Sequence, residues 1–226
     1  MNLIKRMSPD EKKESGVIAL CLMLLILAHF IPKNITIVLY IVTYIISAYP
    51  ILKEAIEKAN ELLVIESKED ETKAGMGTTI VAAVIDGKQL YVANVGDSRL
   101  YVIGNTIKQI TKDHSLVNEM VRMGEIDESE ARMHPDKNII TRAIGAAEHI
   151  EVDFFEVELC SDDVILLCSD GLTNMVSDGE IFDIIKQLDT PQKQVNELVR
   201  MANKNGGRDN ITAMIVKPFL DEVKKC

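Results

Sequence analysis

The chain has 226 residues, enough for one or two domains, and its 47% hydrophobic and 27% charged residues are typical of a globular protein. Its formal net charge is −10, and the acidic excess follows residue 53, because residues 1–53 contain more Lys and Arg than Asp and Glu. An acidic globular part repels the phosphates of DNA and RNA, which argues against a nucleic-acid partner.

Two apolar runs occupy residues 16–31 and 35–52, and neither contains Asp, Glu, Lys or Arg. At about 1.5 Å per residue, helices of this length nearly match a hydrocarbon core of about 30 Å. Positive charges precede the first run and follow the second, which places both ends in the cytoplasm. The pattern predicts a cytoplasmic leader (1–15) and a transmembrane helical hairpin (16–53). The membrane is then a partner, and the rest of the chain is cytoplasmic. A buried pair of soluble helices is the alternative.

Amphipathic and alternating patterns replace the apolar runs after residue 53, beginning with a helix from residue 55. The predicted strands are 78–85, 89–96, 98–104, 139–143, 152–159, 164–168 and 211–216. The predicted helices that follow are 115–123, 127–133, 177–188 and one from Thr190 to the Gly206-Gly207 pair. Groups of strands between pairs of helices indicate an α+β fold with mainly antiparallel sheets.

Three aspartates lie at the ends of predicted strands. Asp97 and Asp170 follow apolar strands, and Asp209 precedes one. Carboxylates on rigid strand ends can converge on a hard divalent cation. Asp-Gly and Asp-Asn are also common turn pairs, so Asp170 or Asp209 taken alone is better explained as part of a turn.

Six motifs, in order and spacing, resemble those of the bacterial type 2C protein phosphatases, the PPM family. They are GMGTT (75–79), VGDSRLY (95–101), TKDHSLVNEMVRMGEI (111–126), HPDKNIITRAIG (134–145), LLCSDGLTNMV (166–176) and NGGRDNITAMIV (205–216). The resemblance implies an α-β-β-α sandwich whose cleft holds two Mn²⁺ or Mg²⁺ ions. It also implies that the chain is a hydrolase acting on phosphoserine and phosphothreonine in phosphorylated proteins.

The resemblance assigns roles to individual residues. Asp170 and Asp209 match two metal ligands of the family, and Asp97 matches the acid associated with a third, weaker metal. His114 and Ser115 fall where the family's flap begins, and this flap, which influences substrate access, extends through Gly145. No catalytic residue is expected beyond the metal ligands.

The sequence departs from the family pattern before residue 75. It contains no DGMGGH motif, whose Asp bridges both metals in the family, and Gly75-Met76-Gly77 follows Ala74 where that motif has Asp. We therefore expect a partial, N-terminally truncated phosphatase domain over residues 54–220, with an incomplete two-metal centre and impaired activity. Two alternatives stay open. One is a membrane-anchored module that binds phosphoproteins or a partner without catalysis, and the other is a fusion fragment without its own function.

The hairpin region also has a resemblance, which is weaker in motif content. Residues 1–53, particularly the ending YIISAYPILKEAI (44–56), resemble the paired membrane helices of heavy-metal-transporting P-type ATPases. The chain contains neither a Cys-Pro-Cys ion motif nor a DKTGT phosphorylation sequence, which excludes a working pump.

Overall fold

The structure is a computed structural model, and it describes residues 52–218. The chain divides into two compact units, residues 1–58 and residues 59–226. Of the first unit only residues 52–58 are described, and they are helical. Residues 52–69 are helical throughout and form α1, which is followed by a 3₁₀ turn at Glu71–Lys73.

The prediction of a membrane location is corrected by the structure. In residues 52–218, no helix combines the length and the apolar character that crossing a membrane requires. Helix α1, for instance, carries Lys and Glu side chains along its whole length. The predicted hairpin at 16–53 lies outside the described residues, except for its last two positions.

Within the described residues, seven strands form two antiparallel sheets. The first sheet contains β1 (Ile80–Asp86), β2 (Gln89–Val95) and β5 (Asp153–Glu158), in the order β1-β2-β5. The second contains β3 (Arg99–Ile103), β4 (Ile107–Gln109), β6 (Val164–Cys168) and β7 (Ala213–Val216), in the order β4-β3-β6-β7. These sheets confirm the predicted α+β class and its antiparallel pairing.

Five helices follow α1 in the described part of the chain. They are α2 (Leu116–Met123), α3 (Glu128–Met133), α4 (Asp170–Thr173), α5 (Asp178–Gln187) and α6 (Pro191–Lys204). Capping boxes pair Asp127 with Glu130 before α3 and Ser177 with Glu180 before α5. The Thr190 side chain caps α6, as the sequence predicts.

Two apolar clusters define how the layers pack. Leu100 and Val102 of β3 lie in one cluster with Val92 of β2, so this cluster joins the two sheets face to face. Tyr101 and Ile103, which alternate with them along β3, belong to a second cluster with side chains of α5 and α6. Because successive side chains of a strand point to opposite faces, β3 separates the core between the sheets from the core beneath the helices.

Residues 139–143 do not form the predicted strand. Ile140 makes one isolated bridge to Ser115, where the chain already turns into α2, so a longer ladder cannot form. Ile139 and Ile140 are 48% and 39% exposed. Their apolar character therefore does not reflect burial in a sheet, which is why the pattern was misleading.

Candidate functional site

Asp170 and Asp209 are brought together by the antiparallel pairing of β6 with β7. Beyond the ladder, the N–H of Ser169 donates to the carbonyl oxygen of Thr212 (3.1 Å). The N–H of Thr212 in turn donates to Ser169 Oγ (3.0 Å). These hydrogen bonds extend the pairing to the residue before Asp170, and the segment that carries Asp209 lies beside it.

Gly171 allows these two segments to approach closely. A Cβ atom at this position would overlap the carbonyl oxygen of Asn210, so any side chain would push the segments apart. Ser169 Oγ also donates to the same carbonyl oxygen (3.1 Å). A small residue and a hydroxyl therefore fix the end of β6 against the segment before β7.

Asp170 interacts electrostatically with both of the other aspartates. Burial raises the pKa of Asp170, and the negative charge of Asp209 raises it further. Burial also raises the pKa of Asp97, to about 6, and the charge of Asp170 adds to this effect. Asn174 Nδ2 donates to Asp170 Oδ2 (3.1 Å) and orients that carboxylate. A divalent cation near these groups would relieve the repulsion between them.

Asp97 lies in the turn between β2 and β3, which Gly96 makes possible. Gly96 has a φ of +112°, in the region that favours glycine, and a Cβ atom there would overlap Cγ2 of Thr79. The hydroxyls of Thr79 and Ser98 are 3.0 Å apart and hydrogen-bonded. Contacts on both sides of Asp97 therefore hold this turn against the start of β1.

Asp97 and Asp170 line a cleft with a volume of about 480 Å³. Helices α2 and α3 contribute to its wall, and four cationic side chains line it as well, those of Arg99, Lys112, Arg132 and Lys137. The cleft therefore combines carboxylates, which suit a divalent cation, with ammonium and guanidinium groups, which suit a phosphate group.

A second group of polar side chains braces the same cleft. Arg99 donates to Asp113 through Nε and Nη2, with a distance of 2.6 Å between Nη2 and Oδ2. Arg99 Nη1 donates to the hydroxyl of Tyr101 (2.9 Å), which donates to Asp178 Oδ1 (3.2 Å). Arg132 Nη2 lies 3.7 Å from the same oxygen. The Arg99 guanidinium is therefore committed to Asp113 within the protein.

The three residues predicted at the flap lie in different surroundings. His114 is buried, and its Nδ1 accepts a hydrogen bond from the N–H of Gly96 (3.0 Å). Ser115 lines the cleft and caps α2. Gly145 has a φ of +88°, its N–H donates to Asn60 Oδ1 (2.8 Å), and it does not line the cleft. The influence of these residues on substrate access stays a prediction.

Two of the three predicted metal ligands are placed where they could bind a cation in the cleft. Asp97 and Asp170 line the cleft, whereas Asp209 does not. Among residues 52–218, no three His, Cys, Asp or Glu side chains lie close enough together to hold a metal ion. Carboxylates suit Mn²⁺ and Mg²⁺, but a site with few protein carboxylates binds weakly. The ligand roles of the three aspartates and the incomplete two-metal centre stay predictions.

Sequence reasoning did not single out the residues that shape the site around these aspartates. The signal for Ser169 and Gly171 is the Ser-Asp-Gly triplet directly after an apolar strand, and for Gly96 the Gly-Asp pair after β2. No local signal marks Arg132 or Lys137, because the fold alone places α3 and the segment that follows it at the cleft.

The family model described as Protein phosphatase 2C matches residues 49–211 of the chain. The serine/threonine phosphatase stp of Listeria welshimeri is 44% identical to the chain over 167 residues, which are 74% of this chain and 66% of that protein. The chain therefore spans just under two thirds of the length of this curated relative.

Solved structures are similar as well. The crystal structure of the serine/threonine phosphatase Stp1 from Staphylococcus aureus matches with a TM-score of 0.73 at 40% identity, covering 74% of this chain and 66% of that one. The catalytic domain of PstP, solved in complex with two manganese ions, matches with a TM-score of 0.66 at 32% identity, covering 73% of this chain and 68% of that one. These matches support the fold expected from the six motifs. They do not support the predicted truncation or the resemblance to P-type ATPase membrane helices.

Proposed function

Because the chain belongs to the protein phosphatase 2C family, we propose that its cleft hydrolyses phosphoserine and phosphothreonine in phosphorylated proteins. One observation carries the proposal, namely that Asp97, Asp170 and Asp209 share an electrostatic environment beside a cleft. The serine/threonine phosphatases of Listeria welshimeri and Staphylococcus aureus, which the chain resembles, support this substrate class.

We assign Asp97, Asp170 and Asp209 to the binding of divalent cations. The PstP domain, which contains two manganese ions, supports Mn²⁺, and Mg²⁺ has the same preference for carboxylate oxygens. When bound, such a cation supplies positive charge for the phosphate group and lowers the pKa of a water molecule. Lys112 and Lys137, which line the cleft, would draw the phosphorylated peptide towards it.

We further propose that this chain by itself is a weak phosphatase. Residues 52–218 supply no group of three metal ligands, and the sequence contains no DGMGGH motif. A cation held by few carboxylates dissociates readily, so turnover should require Mn²⁺ at about 0.1 to 1 mM.

A second function, the binding of phosphorylated proteins without hydrolysis, is favoured by the cationic side chains of the cleft. Lys112, Arg132 and Lys137 all line it. Charge-assisted hydrogen bonds from such groups can hold a phosphate without a metal ion. The turnover experiment described next, combined with a measurement of peptide binding, distinguishes this function from hydrolysis.

The proposed activity is tested by following phosphate release from a phosphothreonine peptide while Mn²⁺ is titrated into the full chain. We expect slow turnover that rises with Mn²⁺ and falls at least about tenfold in Asp170→Asn, because the variant loses a charged ligand. Asp189→Asn removes an exposed acid that does not line the cleft, and this matched control should turn over like the wild type.

Turnover without Mn²⁺, or equal turnover in Asp170→Asn and the wild type, would contradict the proposed mechanism. Peptide binding is measured in parallel by fluorescence anisotropy. Binding without turnover at saturating Mn²⁺ would favour the second function.

A further inference from the structure

We propose that His114 is a positioning residue that holds the turn carrying Asp97 through two hydrogen bonds to Gly96. The inference rests on the proposed function only for the role of Asp97. How His114 holds the turn can be measured without metal and without catalysis.

The two hydrogen bonds between His114 and Gly96 are reciprocal. The N–H of His114 donates to the carbonyl oxygen of Gly96 (3.0 Å). The N–H of Gly96 donates to Nδ1 of the His114 ring (3.0 Å). His114 is only 6% exposed, so water has little access to replace either bond. Both polar groups of the Gly96 backbone are therefore bound by one residue.

The Thr79–Ser98 hydrogen bond also holds this turn, but it leaves the Gly96 N–H without an acceptor. Asn94 Nδ2 donates to the carbonyl oxygen of Gly96 at 3.3 Å, a longer distance than that from His114. No side chain at position 96 can anchor the turn, because the residue is a glycine with a φ of +112°. The ring of His114 is the acceptor for the Gly96 N–H, and Asp97 follows directly.

The opposite side of the ring is also fixed. Because Nδ1 accepts from the Gly96 N–H, the proton of the neutral ring lies on Nε2, which is 3.2 Å from Asp153 Oδ2. Arg142 Nη1 lies 3.0 Å from the other oxygen of Asp153 and 3.4 Å from His114 Nε2. The ring therefore contacts Asp153 of β5 through Nε2 and accepts a hydrogen bond from the Asp97 turn through Nδ1.

Two variants of His114 separate the two sides of the ring. In His114→Asn, the amide oxygen can take the place of Nδ1 and accept from Gly96, while the contact with Asp153 is lost. In His114→Gln, the amide nitrogen can take the place of Nε2 and donate to Asp153, while the acceptor for Gly96 is lost. If His114 only filled space in the core, both substitutions would change hydrogen exchange at Gly96 to the same extent.

The experiment measures hydrogen exchange of the full, metal-free chain by mass spectrometry, on peptides that cover residues 94–99. We expect exchange at Gly96 to be about tenfold faster in His114→Gln than in the wild type, because a buried hydrogen bond is lost. In His114→Asn and in Asp153→Asn it should stay within about threefold. Equal acceleration in His114→Asn and His114→Gln would overturn the proposal.

If the His114 variants do not fold, a measurement on the wild type tests the proposal instead. Nitrogen NMR of the histidine rings should find the His114 proton on Nε2, with Nδ1 as an acceptor. A proton on Nδ1 would overturn the proposal, because that nitrogen could not accept from Gly96.

Mn²⁺ binding then distinguishes this inference from the proposed function. We expect His114→Gln to weaken Mn²⁺ binding several-fold and His114→Asn to keep it, because only the first variant releases the Asp97 turn. If the wild type binds no Mn²⁺, the proposed function fails, and the exchange pattern still decides whether His114 positions the turn.

Discussion

At the scale of single residues, the site is governed by negative charge that the fold keeps partly away from water. Asp97 is the clearest case, because burial and the charge of Asp170 raise its pKa to about 6. An unperturbed Asp has a pKa of about 3.9, so folding makes this carboxyl easier to protonate. The ionised Asp97 therefore destabilises the metal-free fold, and a bound cation would offset that effect.

The raised pKa predicts how stability depends on pH. Since the folded chain keeps the Asp97 proton to higher pH than the unfolded chain, the free energy of unfolding falls as pH rises from about 4 to about 6. Asp97→Asn should therefore stabilise the metal-free chain at pH 7 by on the order of 1 kcal/mol, after allowance for solvent screening, with little effect at pH 4. Urea unfolding in EDTA at both pH values measures the difference.

Asp189→Asn, which changes an exposed acid, is the control for this pH dependence and should have little effect at either pH. If Asp97→Asn destabilises the chain equally at pH 4 and pH 7, the charge of Asp97 is not the cause, and the assigned electrostatic environment is wrong.

At the scale of elements, the junction of β6 with β7 determines whether Asp170 and Asp209 meet. Gly171→Ala should lower the free energy of unfolding by about 2 kcal/mol, because its Cβ forces the Asn210 carbonyl away. Gly179→Ala, in α5, is a matched control, since a Cβ there meets nothing within 4 Å, and it should be neutral or slightly stabilising. Urea unfolding measures both. Equal stability of the two variants would mean that the segments do not pack this closely.

Most of the described elements could be predicted from the sequence because their signals are local. Alternating patterns mark β2 and β3, a continuous apolar run marks β6, and the capping boxes mark the starts of α3 and α5. The strand expected at 139–143 failed because Ile139 and Ile140 are exposed and the neighbouring chain enters α2. The apolar character of a segment does not indicate which other segment of the chain lies beside that segment in the fold.

The candidate site could be predicted only in part, for the same reason. The positions of Asp97, Asp170 and Asp209 at strand ends marked them as candidates. Their mutual influence depends on β6 pairing with β3 on one side and with β7 on the other, strands that are distant from it in sequence. The buried setting of His114, which no sequence pattern indicated, arises from contacts with Gly96 and with Asp153 in β5.

At the scale of the whole molecule, the charge distribution predicts that one ligand affects the binding of another. A chain with a net charge of −10 attracts divalent cations and repels phosphorylated peptides. The cationic side chains of Arg99, Lys112, Arg132 and Lys137 line the same cleft as Asp97 and Asp170. We therefore expect a divalent cation to strengthen the binding of a phosphopeptide to this cleft.

The measurement that tests the central claim most directly is Mn²⁺ binding to the full chain, followed by electron paramagnetic resonance. If Asp97, Asp170 and Asp209 contribute to the binding of divalent cations, we predict a dissociation constant of about 0.1 to 1 mM. Asp170→Asn should weaken binding at least about tenfold, and Asp189→Asn should leave it unchanged. Equal Mn²⁺ binding by the wild type and Asp170→Asn would place the cation elsewhere on the acidic surface and contradict the claim.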